Sequence, residues 1–129
     1  MHSTFERPFK PVEFTPGMIE CFDFQALADQ LRTEEPYIEH GRSGLTLTRD
    51  HHHTMVLTVA KAGKIAHEYN PLGPTTIVML SGSVTLMTNE TAQKIPLMGG
   101  MAAAFAPDVT HRIEAHTDSV LLIMIGGNQ

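Results

Sequence analysis

Histidine and tyrosine side chains in two predicted strands are the groups of this sequence best suited to chemistry. His67 and Tyr69 stand two residues apart in a predicted strand at 64–69, so their side chains point to the same face. His111 lies in another predicted strand, at 109–115. An imidazole can bind a metal, hydrogen-bond a ligand or change charge near neutral pH, and a His/Tyr pair can perform general acid–base chemistry.

Short strands from residue 45 onward must position these groups. The segments are rich in Val, Ile, Leu, Thr and Met and are separated by Gly, Pro and Asn. They fall at 45–49, 54–60, 64–69, 75–80, 83–88, 91–95, 101–105, 109–115 and 119–125. No spacer is long enough for a crossover helix, so a parallel α/β sheet is excluded and an all-β sandwich or barrel is predicted. Within this region, Gly82 predicts a tight hairpin turn and Pro96 predicts a break between strands.

The first part of the chain has a different pattern. Residues 23–35 predict one short helix, because Asp23 can cap it, apolar residues recur at helical spacing, and Pro36 should end it. Ahead of it, Phe and Pro residues predict an extended arm that packs on the barrel or on a partner subunit. We therefore expect an arm-and-helix segment, 1–40, followed by a barrel domain, 41–129.

Composition restricts the class of protein. The 129 residues fit one domain, and a net charge of -5 argues against nucleic-acid binding. Cys21 is the single cysteine, which fits a reducing compartment. The start lacks a signal-peptide pattern, and the apolar run at 120–125 is too short to span a bilayer. These features predict a cytoplasmic protein without a membrane partner.

The strand region resembles the cupins in three segments. The glycine framework from Gly63 to Gly82 is similar to the first cupin motif. Residues 105–115 are similar to the second motif, and 118–122 to the last strand of small single-domain cupins. The resemblance covers about residues 40–125. It implies a double-stranded β-helix, which is a jelly-roll barrel, and a homodimer.

The resemblance also indicates where metal ligands would stand. Spacing from Gly63 places the family's first three ligands at Tyr69, Pro71 and Thr75, none of which is a histidine or glutamate, and the fourth at His111. Pro offers no donor and Thr is a poor ligand. If Tyr69 faces the cavity, so does His67, which gives two imidazoles near one mouth. A metal site usually needs three protein ligands, and His51, His52 and His53 are predicted to form a solvated corner instead.

Two functions are consistent with this degenerate site. The first is a module that binds a small organic ligand in its cavity. The second is a cupin-type oxygenase or isomerase in which His67 and His111 hold Fe, Mn, Ni or Zn, or a metal-free enzyme in which Tyr69 and His111 act as acid and base. The predicted pocket residues are His67, Tyr69, Thr75, Ile77, Met79 and His111.

Overall fold

The computed structural model describes residues 7, 9–69, 73–88 and 93–127. Within them, the chain forms the helices α1 (Phe24–Thr33) and α2 (Glu35–His40), followed by the strands β1 (Arg42–Arg49), β2 (His53–Ala60), β3 (Ile65–Tyr69), β4 (Thr75–Ser81), β5 (Ser83–Thr88), β6 (Lys94–Met98), β7 (Ala102–Phe105), β8 (His111–Ala115) and β9 (Ser119–Gly126). Each strand overlaps a segment predicted from the sequence. In the sixth predicted strand, 91–95, residues 91 and 92 lie outside the described residues. None of the described helices is long and apolar enough to cross a membrane.

The strands form two antiparallel sheets that face each other. The larger sheet has the order β1-β2-β9-β4-β7, and the smaller has the order β3-β8-β5-β6. Strands that are consecutive in the chain, such as β3 and β4, often lie in different sheets, as jelly-roll connections require. The predicted all-β barrel is therefore confirmed.

The larger sheet is apolar on both faces. In β9, Leu121, Ile123 and Ile125 point between the sheets, while Val120 and Leu122 point to the outer face. This alternation follows from the two-residue period of a strand. The inner core also contains Ala60, Ala66, Ile77, Met79, Val84, Leu86, Leu97, Ile113 and Ala115. The outer core contains Ala28, Leu31, Tyr37, Leu45, Leu47, Leu57 and Val59.

The two helices cover the outer face of the larger sheet. Asp23 caps α1 as predicted, since its Oδ1 accepts a hydrogen bond of 3.0 Å from the backbone N–H of Ala26. The prediction of a single helix ended by Pro36 is corrected: α1 ends at Thr33, and Pro36 stands in the first turn of a second helix. Proline suits that position because the N–H it lacks has no partner there.

Two turn predictions are also corrected. Gly82 does not make a hairpin turn, because β4 and β5 belong to different sheets and the chain crosses between the sheets at this residue. Its φ of 89° still requires glycine. Pro96 lies inside β6, opposite Thr85, rather than between strands. Since β6 is an edge strand of its sheet, the missing N–H can face away from the ladder.

The arm lies along β1 of its own chain. The backbone N–H of Val12 donates to the carbonyl oxygen of Leu47 at 2.8 Å, and that of Arg49 donates to Val12 at 3.1 Å. Arg7 pairs with Glu34 at 2.7 Å, and Phe9 packs against the outer core. The arm and the helices therefore share one core with the larger sheet.

Candidate functional site

A β-bulge in β3 sets the direction of the His67 side chain. The register against β8 shifts between Ile65, which pairs with Glu114, and His67, which pairs with Ile113. In a regular strand, Ala66 and His67 would point to opposite faces. The bulge turns them the same way, and both line one cavity between the sheets. Sequence alternation alone gives no sign of this bulge.

His111 begins β8 and points into the barrel, on the same face as Ile113 and Ala115. It is only 2% exposed. Its Nδ1–H donates to the carbonyl oxygen of Val109 at 3.2 Å, so in the neutral ring Nε2 carries the lone pair. This Nε2 is buried and has no hydrogen-bond partner among the described residues. A buried acceptor without a donor is destabilising unless a ligand or solvent molecule supplies one.

The two imidazoles meet inside the barrel. The ring centroids of His67 and His111 are 5.0 Å apart, with 32° between the ring planes. Phe105, at the end of β7 in the opposite sheet, contacts His111 from another side at 4.4 Å between centroids. The Nε2 atoms of both histidines are buried. The ring of His111 therefore reaches across the space between the sheets to Phe105.

Burial keeps both imidazoles neutral. Desolvation lowers the pKa of His67 to about 4; the positive charge that His111 carries when protonated, and then the charge of Arg42, act in the same direction. Desolvation also lowers the pKa of His111, against the opposing effect of its hydrogen bond to Val109. At neutral pH each ring therefore offers one N–H donor and one lone pair and carries no charge.

His67 connects the histidine pair to a cavity of about 350 Å³. The cavity opens to solvent beside Arg42 and Gly44, which are exposed, and reaches inward to the buried Ala66. Its volume lies in the range of small-molecule sites. The wall consists of Arg42, Ser43, Gly44, Val56, Thr58, Ala66 and His67.

Only part of the predicted pocket lies at this cavity. His67 lines it, and His111 lies directly behind His67. Ile77 and Met79 are packed in the inner core, and the Thr75 hydroxyl donates to the carbonyl oxygen of Gly73 at 3.3 Å. Tyr69 pairs with His111 in the β3–β8 ladder, and nothing further is described for its side chain.

The sequence prediction missed the β1 and β2 side of the cavity. Arg42 and Gly44 were missed because β1 begins at Arg42, three positions before the predicted strand. Thr58 lies within the predicted second strand, but it was not assigned to the pocket. The sequence feature that could have identified Arg42 and Gly44 is the alternation within β1. Leu45 and Leu47 face the outer core, and Arg42 and Gly44 face the other way.

The donor set does not fit a standard metal site. Two imidazoles lie together, but no group of three His, Cys, Asp or Glu that could hold a metal exists among the described residues. His51 and His52 are exposed in the turn before β2, where the backbone N–H of His52 donates to Asp50. Pro71 lies outside the described residues. The alternative of an iron, manganese, nickel or zinc site would need a third ligand beyond His67 and His111, and the described residues bring none to the pair.

Solved structures identify the architecture. The sequence matches no family profile and no curated protein. A cupin superfamily protein from Desulfitobacterium hafniense superposes with a TM-score of 0.62 at 17% identity, covering 67% of this chain and 78% of that one. An RmlC-like cupin from Desulfovibrio desulfuricans gives 0.58 at 20% identity, covering 89% and 97%. An RmlC-like cupin with a double-stranded β-helix fold, from Methanocaldococcus jannaschii, gives 0.62 at 11% identity, covering 74% and 88%.

The chain has a cupin fold. Its first motif-like segment runs from Gly63, ahead of β3, to Gly82, after β4, and so crosses from the smaller sheet to the larger. Its second motif-like segment ends on β8, which carries His111. The cupin fold thus brings together residues from strands that are distant in sequence, while the chemistry depends on which side chains occupy its interior.

Proposed function

We propose that this cupin-fold chain binds a small organic ligand in the cavity bounded by β1, β2 and β3. His67 forms the inner wall of that cavity, and the His111 ring lies 5.0 Å behind it. Both rings are neutral at physiological pH, so they act as hydrogen-bonding groups that orient the ligand.

One observation carries the proposal: the Nε2 lone pair of His111. The atom is buried and no described residue donates to it, although Nδ1 of the same ring is hydrogen-bonded to Val109. If the imidazole served only for packing, an apolar side chain could take its place and would avoid the free-energy cost of a buried acceptor without a donor. A ligand hydroxyl or N–H group that reached the histidine pair would supply the missing donor.

The proposal is tested by NMR spectra of the histidine side chains while small hydroxy acids, keto acids and monosaccharides are added. We expect at least one compound to shift the His67 and His111 ring signals. The variant His111→Phe should lose that binding by about tenfold or more, which corresponds to one good hydrogen bond to a ligand.

The matched control is His116→Phe. His116 is exposed at the β8–β9 turn and is hydrogen-bonded to Thr85, so its loss should leave binding unchanged. If no compound moves the His67 and His111 signals, or if both variants bind equally well, the proposed function is wrong.

We also propose that the chain forms a homodimer. Leu80, Met98 and Met101 are exposed apolar side chains. Met98 and Met101 flank the β6–β7 turn, where the Met101 N–H donates to the Met98 carbonyl oxygen, and the backbone of Leu80 lies beside Gly99 of that turn. A subunit contact would cover this apolar surface. Sedimentation should show a dimer for the intact chain and a monomer for Met98→Lys with Met101→Lys; a monomer in both cases contradicts the proposal.

A further inference from the structure

Arg42 carries the only charge on the described wall of the cavity. The other wall residues are glycine, hydroxyl or apolar residues and the neutral His67. None of the ion pairs among the described residues involves Arg42. The cavity of an acidic protein, with net charge -5, therefore has a positive entrance.

The guanidinium of Arg42 is held in place at this entrance. Its Nη1–H donates to the carbonyl oxygen of Ile65 at 2.9 Å, which ties the start of β1 to the start of β3. No other group of the described residues accepts a hydrogen bond from this guanidinium, so within that part of the chain its remaining N–H groups are available to a ligand. A guanidinium anchored in this way loses less conformational entropy when it binds an anion.

The charge of Arg42 acts on the interior of the cavity. Burial has the largest effect on the pKa of His67, His111 has the second largest, and the charge of Arg42 is the third cause that lowers it. Protonation of His67 next to Arg42 is unfavourable for this reason, whereas an anion placed near both would be attracted by the guanidinium. Thr58, on the same wall, adds a hydroxyl that can donate to such an anion.

We propose that the cavity is a site for the carboxylate of a small organic acid, with Arg42 as its counter-charge. The inference rests on the proposed function and names its ligand class. The carboxylate lies between Arg42 at the entrance and the buried Thr58 hydroxyl, and the organic part extends inward to His67. Arginine pairs with carboxylates through two parallel hydrogen bonds, which fixes the orientation of the ligand as well as its charge.

A carboxylate suits this site better than a phosphate. A phosphate monoester carries nearly two charges at neutral pH, whereas the described wall supplies a single cation. Protein phosphate sites also use the N–H groups of a helix N-terminus. Here both helices pack on the outer face of the larger sheet, away from the space between the sheets.

The experiment is calorimetric titration of the full chain with three matched pairs of probes. Lactate, benzoate and succinate are compared with lactamide, benzamide and succinamide, which keep the shape and remove the charge. We expect at least one carboxylate to bind at least about tenfold more tightly than its amide. Sulfate and inorganic phosphate, as anions of other geometry, should bind more weakly than that carboxylate.

Two variants separate the cavity from general charge effects. Arg42→Gln should lose the preference for carboxylate over amide, and Arg42→Lys should keep part of it because the charge remains while the fork is lost. Arg49→Gln is the matched control, since Arg49 is an exposed arginine at the other end of the same strand. It should bind the carboxylate as the unaltered chain does.

The outcomes distinguish the two proposals. If the amides shift the His67 and His111 signals as strongly as the carboxylates do, the ligand class is wrong and the proposed function stands. The inference is also wrong if sulfate and phosphate bind as tightly as the carboxylates. It is wrong as well if Arg42→Gln and Arg49→Gln lose the same amount of carboxylate affinity. If no compound in either series reaches the histidine pair, both proposals fail.

Discussion

His67 and His111 lie with their ring centroids 5.0 Å apart on adjacent strands of the smaller sheet. Their residues are offset in the ladder, since His67 pairs with Ile113 while His111 pairs with Tyr69. The bulge at Ala66 and His67 therefore turns the His67 ring toward the His111 ring, with 32° between the ring planes, and His67 lines the cavity. Two neutral rings in contact inside an apolar barrel are costly to protonate, which has consequences for stability and for binding.

The first consequence is a pH dependence of stability. Above pH 6.5, His67 is neutral in both the folded and the unfolded chain and contributes no pH dependence. Below about pH 6.5 the unfolded chain takes up a proton, whereas folded His67 stays neutral until about pH 4. Stability should therefore fall as pH decreases across this window, by at most about 3 kcal/mol from this residue.

Denaturant unfolding of the original chain and of His67→Gln between pH 4 and pH 7.5 measures this contribution. Other groups titrate equally in both, so the difference between the two curves isolates His67. As pH falls from 6.5 to 4, the free energy of unfolding of His67→Gln should decrease less than that of the original chain. Parallel curves would show that His67 is not buried from water as described.

The second prediction separates the binding role of His111 from a packing role. Replacing it with Phe removes the buried Nε2 acceptor but also its Nδ1 hydrogen bond to Val109, so the two effects offset each other. We expect the free energy of unfolding to change by less than about 1 kcal/mol. Ile113→Ala, two residues along the same strand and fully buried, should cost about 2–5 kcal/mol. Chemical denaturation compares the two variants, and an equal loss in both would mean that His111 is chiefly a core residue.

The fold could be predicted from the sequence because its signals are local. Alternating apolar residues marked each strand, and the glycines at 63 and 82 lay at the corners that the barrel needs. Turn types were harder to predict. Whether Gly82 closes a hairpin or crosses between sheets depends on pairings with β8 and β9, which begin at His111 and Ser119, far along the chain.

The candidate site was less predictable because the cavity depends on contacts between distant strands. His67 could be found from its two-residue spacing to Tyr69, and His111 from the second motif. Arg42 and Gly44 could not be found, since no local pattern shows that the edge strand β1 faces the start of β3. The bulge at His67 was equally hidden, because it is defined only by the register against β8.

The third prediction uses Gly44 to fill the cavity without altering its charge. A Cβ at this position would lie 3.6 Å from Val56 Cγ1 and 3.7 Å from Thr58 Oγ1, which is ordinary contact. Gly44→Ala and Gly44→Val should therefore fold, with stability equal to that of the original chain or higher by up to about 1 kcal/mol. Both substitutions occupy space on the cavity wall.

Binding should fall progressively in that series. Titration with lactate, benzoate and succinate should show weaker binding in Gly44→Ala and a loss of about tenfold or more in Gly44→Val. Thermal unfolding of each variant without probe checks that the barrel is intact. If Gly44→Val folds and binds these acids as the original chain does, the ligand does not occupy this cavity.

The fourth prediction compares two glycines with the same backbone conformation. Gly63 has φ 85° and Gly82 has φ 89°, so alanine is strained at both positions. At Gly63 a Cβ would meet nothing within 4 Å, and Gly63→Ala should cost about 1–2 kcal/mol. At Gly82 it would collide with the Ser119 hydroxyl, the Asp118 carbonyl oxygen and Ser119 Cα, the last at 2.8 Å.

Because two of these three atoms are backbone atoms at the start of β9, they cannot move aside without disturbing a central strand of the larger sheet. Gly82→Ala should thus cost about 1–3 kcal/mol more than Gly63→Ala, and urea unfolding of the two variants measures the difference. If Gly63→Ala and Gly82→Ala lose the same free energy of unfolding, the chain crosses between the sheets at Gly82 farther from β9 than described. A larger loss of stability in Gly82→Ala would mean that the crossing at Gly82 lies against the start of β9 with no room for a side chain.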